Sequence, residues 1–400
     1  RGQDCPRCGT RAPDEVIAEL HSAIHEGIQR GGANTRLIAW DWGWQDPWVE
    51  GIVQKLPLEV ALLSVSEWSI PVTRGGVDSM VGEYSISTVG PGPRATRHWG
   101  FAKTRGLKTL AKVQTNNTWE LSPVPYIPAV ANVAQHAANL RETGVDGLML
   151  SWTLGGCPSP NLEVVAELGA DRALSVDDAL LKVARNRVGE PLAPALVEAW
   201  KAFSVAFSEY PYHGGVVYSA PVQMGPANLL FAQPTGYAAT MVGLPYDDLD
   251  RWRAVFPPEV FAQQFETMAQ GFQQAIAKVR DALGNAQVSL EQRAAIDEEM
   301  RVAEVCAIHF QSVANQTRFV MNRNAFNEAP AAETAPQHAA TMRALLDSEI
   351  VLAQRMHALQ SQDSRFGYEA SNHYFYVPTD LVEKAVNCRS LKEDWLKTPQ

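Results

Sequence analysis

Four carboxylates sit in settings that could support chemistry: Asp41 in LIAWDWGW, Glu67 in LSVSEW, Glu83 in VGEYS and Glu120 in TNNTWEL. Each has an aromatic neighbour. Trp40 and Trp42 flank Asp41, Trp68 follows Glu67, Tyr84 follows Glu83 and Trp119 precedes Glu120. Cleaving a glycosidic bond usually takes two carboxyl groups, one to protonate the leaving oxygen and one to act as base or nucleophile. Aromatic rings stack on the apolar faces of pyranose rings, while carboxylates and amides hydrogen-bond the hydroxyls around the edge. The pattern therefore fits a sugar site, with Glu67, Glu120 and Asp41 as candidate catalytic groups. Apolar contact with Trp68 would raise the pKa of Glu67 for acid work. The candidate sugar contacts are Trp40, Trp42, Trp44, Trp68, Glu83, Tyr84, Gln114, Asn116, Asn117, Trp119 and Trp152. The plain alternative is packing between strand and helix for each tryptophan, and hydroxyl binding or salt bridging for each single carboxylate.

The elements that must hold these residues follow from the hydrophobic pattern. Residues 14–29 carry apolar side chains at 16, 17, 20, 24 and 28, one face of a helix, and GGANT breaks that helix before the apolar run RLIAWDW. Three more apolar runs, 59–68, 107–114 and 144–152, follow helix-like stretches in the same way. Helix–strand alternation with continuously apolar strands means a parallel sheet covered by helices. A (β/α)8-type (TIM) barrel is the expected fold class, with its chemistry at the C-terminal strand ends, where all the residues named above lie. Only four clear strands precede residue 160, and 212–221 offers at most one more. The expectation is therefore the C-terminal half of an α/β barrel, its early strands upstream of Arg1, or an incomplete barrel. Beyond 240 the segments 256–284, 289–326, 335–360 and 379–388 have helical periodicity. The expected domains are a barrel portion over 1–240 and a helical bundle over 241–400, joined by a Pro/Gly-punctuated region at 211–245. The aromatic run 366–384 is expected to pack the bundle against the barrel.

Composition narrows the partners. The chain has 400 residues, 46% of them hydrophobic and 20% charged, with a net charge of −10 and no Lys/Arg cluster, which argues against nucleic acid. No apolar run reaches the ~18–20 residues of a membrane span, and no leader opens the chain. Cysteines at 5, 8, 157, 306 and 388 are too scattered for a disulfide framework. The pair CPRC lacks the second pair or the histidines a structural zinc site needs. His98, His136, His213 and His373 are isolated in sequence, and GxSxG, P-loop and HExxH motifs are absent. No metal or cofactor is expected. The expected partner is a carbohydrate.

CPRC, then a helix, then LIAWDWGW, with later strands ending SEW, KVQTNNTWE and MLSWTLGG, resembles the second half of the catalytic barrel of family 20-like glycoside hydrolases, the β-N-acetylhexosaminidase group. The resemblance covers about residues 1–165. It implies hydrolysis of a glycan, N-acetylated sugars among the candidates, and pocket walls at Trp42, Trp119 and Trp152. It also implies attack by the substrate's own 2-acetamido group, oriented by one carboxylate while another protonates the leaving group. In the family an Asp-Glu pair ends the fourth strand, ahead of the segment matching residues 5–41. Asp14-Glu15 is adjacent but opens a helix, where acids favour the dipole, so the role does not transfer to it. Two rival readings are a carbohydrate-binding protein that keeps the aromatic pocket without turnover, and a metal-dependent enzyme using the CPRC pair.

Overall fold

The computed structural model describes residues 4–151, 156–239, 243–371 and 373–397. Helices α1 (Pro13–Arg30), α2 (Asp46–Lys55), α3 (Pro93–Arg105) and α4 (Val130–Thr143) lead into strands β1 (Ile38–Trp40), β2 (Ala61–Val65), β5 (Thr109–Val113) and β6 (Gly147–Leu150) respectively. An antiparallel hairpin of β3 (Pro71–Arg74) and β4 (Val77–Met80) is inserted after β2. The helix starts and stops follow the local chemistry. Pro sits in the first turn of α1, α2 and α3, where a missing N–H costs nothing, and Gly106 and Gly144 end α3 and α4 in the left-handed conformation.

The four main strands form one parallel sheet in the order β1-β2-β5-β6. Trp40 stands opposite Leu63, Val65 opposite Lys112, and Val113 opposite Leu150. All four strands run the same way, so Asp41, Glu67, Gln114 and Ser151 emerge at one end of the sheet. β2 is buried at every position, as a parallel strand covered on both faces must be. A closed eight-stranded barrel is not formed by the described residues, whose sheet is open at β1 and β6.

Segment 212–221, expected to offer a further strand, instead forms short helices α8 (Gly214–Val217) and α9 (Ala220–Met224). Pro221 lies in the first turn of α9, where it is tolerated, whereas in a strand it would remove a ladder bond. The helical layer also starts earlier than residue 240, with α5 (Pro160–Ala170), α6 (Val176–Val188) and α7 (Ala193–Phe207). It continues through α10 (Leu249–Trp252), α11 (Pro258–Asn285), α12 (Leu290–Glu328), α13 (Ala335–Gln360) and α14 (Pro378–Ser390). One apolar core runs from Val72 and α4 through to Leu396 across residue 240. Phe203 of α7 stacks on Phe272 of α11, with ring centroids 4.7 Å apart. Among the described residues no helix is long and apolar enough to cross a membrane.

The C-terminal helices are pinned by a buried charge. Glu349 on α13 accepts from Ser312 and Asn315 of α12, both at 2.9 Å, and pairs at 2.9 Å with Lys384 of α14. Lys384 also donates to the Asn228 carbonyl in the segment between α9 and α10. Both members of the pair are fully buried. Removing one partner leaves the other charge stranded, so Lys384→Met should lose about 3–5 kcal/mol in urea unfolding. Lys384→Met combined with Glu349→Leu should regain most of that loss, and equal losses in the two variants would show that the pair is not what holds these helices.

Candidate active site

Asp41 continues β1 by one residue, its N–H donating to the Leu63 carbonyl at 3.0 Å. Its carboxylate is fully buried and held from three sides: Ser64 Oγ at 2.7 Å, His98 Nδ1 at 2.7 Å and Arg94 Nη1 at 3.3 Å. Arg94 also donates to the Asp41 and Trp44 carbonyls and to Asp46, and its guanidinium lies 4.6 Å over the Trp68 ring. Desolvating both charges is tolerable because each finds the other and most remaining donors are used. This knot ties β1, β2 and α3 together. It also accounts for Trp68, which stacks on an ion, and for Trp44, whose ring meets His21 edge-on and packs against the core of β1 and α2. Trp40 sits beside Trp42, ring centroids 5.9 Å apart.

Glu67 is the contrasting case. Ser66 extends the ladder of β2 by donating to the Lys112 carbonyl at 3.0 Å, and Gly92 donates to Ser66 O at 2.7 Å. The Glu67 side chain is then completely buried, and neither carboxyl oxygen has a hydrogen-bond partner on another described residue. His136 Nδ1 lies 3.5 Å from Oε1, and the Nε2 of the same ring is 2.7 Å from Ser66 Oγ. Burial pushes the Glu67 carboxyl well above the usual range; its own backbone N–H and Lys112 oppose this, while Glu120 adds to it. Burial also lowers His136 to about 4, so the ring is neutral near pH 7 and offers Glu67 no counter-charge.

Around Glu67 the strand ends bring together a second carboxyl, a lysine and a phenol. Glu83, partly exposed, accepts from Trp42 Nε1 at 2.8 Å. Burial raises its pKa, and the Trp42 bond and Lys112 work against that rise. Lys112 of β5 donates to the Ser151 carbonyl and lies 5.6 Å over the Tyr84 ring. Burial lowers it to about 8 despite Glu67 and Glu83. The Tyr84 hydroxyl is buried without a hydrogen-bond partner among the described residues, and burial, then Glu83 and Glu67, raise its pKa. Glu67, Glu83, Tyr84 and Lys112 thus act on one another electrostatically. Tyr218, which the sequence reading missed, borders the same group: its ring lies 5.6 Å from Trp119, and burial and Glu83 raise it to about 12.

The remaining expected site residues are turned to other work. Glu120 is buried and accepts from Ser85 Oγ at 2.8 Å, Ile86 N at 2.7 Å, Thr118 Oγ1 at 2.6 Å and both donors of Ser87. It shapes the loop after Tyr84 and has no spare oxygen for a reacting group, so its geometry departs from the expected catalytic role. Asp41 differs: Ser64, His98 and Arg94 all meet its Oδ2, and its buried Oδ1 has no hydrogen-bond partner among the described residues. Asn116 donates to Cys157 O at 2.8 Å, and Asn117 donates to the Ser122 and Val124 carbonyls at 2.9 and 2.6 Å, so both amide groups order the loop after β5. Gln114 is buried beside His136. Trp152 lies outside the described residues.

The fold is an open parallel sheet with helices packed around it, and carboxyl groups gather at the C-terminal strand ends. The chain is similar in structure to a GH138 enzyme targeting pectin rhamnogalacturonan II, with a TM-score of 0.53 and 11% sequence identity. The match covers 96% of this chain and 60% of that one, so the chain spans well under two thirds of that enzyme's length. The likeness is one of fold, to a GH138 enzyme rather than to the family 20 group that the sequence motifs resemble. No family model matches the sequence, and no curated protein matches it.

The Glu67 environment has a signature in stability. Below its ordinary value of 4.5 both folded and unfolded Glu67 hold the proton. Above it the unfolded group ionises while the folded one stays neutral, so the stability it contributes falls as pH rises toward its folded pKa. Glu67→Gln should therefore overtake wild type in urea midpoint as pH is raised from 4.5 to about 8. A constant difference across that range would mean that folded Glu67 titrates normally.

Proposed function

We propose that the chain is the strand-end portion of a glycoside hydrolase acting on a glycan, with Glu67 as proton donor to the leaving oxygen and Glu83 as the paired carboxylate. The observation that carries this reading is the divergence of the two environments. Glu67 is dry, without a hydrogen-bond partner on another described residue, and is pushed well above the usual range, whereas Glu83 is partly open and the rise that burial gives it is opposed by the Trp42 N–H and Lys112. Burial raises both carboxyls, Glu67 the further, and two carboxyls held in unequal environments are the acid/base pattern of glycosidases. Trp42, 51% exposed, and the Trp119–Tyr218 pair supply faces on which a sugar ring can stack. The similarity to an enzyme that targets pectin makes a pectic glycan the first substrate class to try. On a 2-acetamido sugar, the family 20-like variant of this reading, Glu83 would orient the amide. The four parallel strands are read as half of a (β/α)8-type barrel, in keeping with exposed apolar residues at its open edges, Ile38 on β1 and Leu148, Met149 and Leu150 on β6.

One observation favours the rival, a carbohydrate-binding protein without turnover: Glu67 has no exposed surface. Assay of the protein on pectic oligosaccharides and on aryl glycosides, N-acetylglucosaminide and galactoside included, separates the two. Turnover by wild type that drops about 10²–10⁴-fold in both Glu67→Gln and Glu83→Gln, with melting temperatures held, would support the acid/base pair. Binding without turnover would support the rival, and neither binding nor turnover would overturn both.

Trp42→Phe keeps a ring but deletes the donor to Glu83. Because that bond lowers the Glu83 pKa, its loss raises it, and the acidic limb of the kcat/KM profile should move to higher pH. An unmoved limb would mean that Glu83 is not the group that must be ionised.

A further inference from the structure

The aromatic run near the C-terminus does more than pack the helices against the sheet. Tyr368–Glu369 and His373–Tyr374 form a two-stranded antiparallel pairing in which Tyr374 stands opposite Tyr368. Gly367 N donates to the Pro123 carbonyl at 2.9 Å, which docks this hairpin onto the loop that follows β5. Gly367 is required there: its φ is +87°, and a Cβ would come within 2.3 Å of the Tyr376 carbonyl oxygen. The two tyrosine rings, 5.3 Å apart at 66°, remain 42% and 44% exposed.

Between the hairpin and the strand-end loops lies a cleft of about 290 Å³ lined by Asn117, Cys157, Arg365, Tyr368, Glu369 and Tyr374. Asn117 is 2% exposed; its Nδ2 is spent on two loop carbonyls, and its Oδ1 has no partner among the described residues. A buried acceptor left unmet at a cleft wall costs stability unless a donor arrives. Arg365 is bound through Nε and Nη2 by Asp363 and Glu298, which fixes its guanidinium and largely offsets its charge while Nη1 takes no part in those bonds. Two exposed rings, an unmet amide acceptor and a fixed, charge-balanced donor are the groups that recognise a hydroxylated ring.

We propose that this cleft is a second carbohydrate subsite, holding a sugar unit of the same oligosaccharide whose neighbouring unit lies at Glu67 and Glu83. The inference rests on the proposed glycosidase function. The loop carrying Asn117 follows β5, whose Lys112 belongs to the candidate active site, and Cys157 comes from the segment after β6. The cleft therefore lies at the same end of the sheet, displaced toward β6. Occupying both sites takes a ligand of several sugar units; a single sugar does not need the second.

The test compares wild type with Tyr368→Ala and Tyr374→Ala on an aryl monoglycoside and on short pectin-derived oligosaccharides, with binding of the oligosaccharides read by saturation-transfer NMR. Both tyrosines are exposed, so melting temperatures should hold. Each variant should lose roughly tenfold in oligosaccharide kcat/KM, mainly through KM, with the aryl monoglycoside unaffected. If wild type binds oligosaccharides without cleaving them, loss of the NMR signal in the variants supports the subsite and retention of it overturns the subsite. Equal behaviour of variants and wild type on oligosaccharides, with aryl glycoside still cleaved, overturns the subsite while leaving the glycosidase reading standing. No cleavage and no binding by wild type overturns both.

Discussion

A carboxyl sealed from water with no hydrogen-bond partner on another described residue is pushed toward its protonated form, and the candidate site is arranged around one such group. Glu67 reaches that condition because β2 is covered on both faces and carries the chain directly into the interior. The neighbouring histidine is itself dry and neutral, and the lysine above Tyr84 is turned to a backbone carbonyl. Lys112 offsets only part of the penalty that burial places on the charge Glu67 would carry if ionised, and a raised pKa is what a carboxyl needs to serve as an acid near neutral pH.

The three other strand-end carboxyls show how much surroundings decide. Asp41 is buried as deeply as Glu67, yet an arginine, a serine and a histidine meet it, and it becomes a knot between two strands and a helix. Glu120 is met by hydroxyls and backbone N–H groups and becomes the centre of a loop. Glu83 remains partly open and takes a single indole donor. Carboxyl side chains in one kind of motif thus yield two structural centres, one dry carboxyl and one accessible one. The knot and the loop also matter to the site, because they fix the ends of β1 and the loop that presents Glu83 and Tyr84.

Much of this was legible in the sequence. Hydrophobic runs separated by helical periodicity located all four parallel strands, and the side chains immediately after them are the ones that meet at the site. What was not legible depends on contacts far apart in the chain. The partners of Asp41 and Glu120, Arg94 and Ser87, lie 53 and 33 residues away and belong to segments with no motif of their own, so the hydrogen bonding of these two carboxyls could not be read along the chain. His98 and His136 look isolated along the chain but meet Asp41 and Glu67 in space. The helices of 160–207 escaped notice because their apolar faces continue the core of the later bundle, so no boundary in composition marks where the helical layer begins. The 366–376 run showed its aromatic content but not its direction, which is set by a single backbone bond from Gly367 to Pro123.

The most direct test of the account is the protonation state of Glu67 itself. A ¹³C NMR titration of the glutamate carboxyl carbons in the folded protein, with the Glu67 resonance assigned by its disappearance in Glu67→Gln, reads that state without relying on turnover. The account predicts a resonance that stays in the protonated position at neutral pH and titrates well above the ordinary carboxylate value. A Glu67 signal that titrates at or below that ordinary value would contradict the assignment of the proton donor and, with it, the division of roles between Glu67 and Glu83.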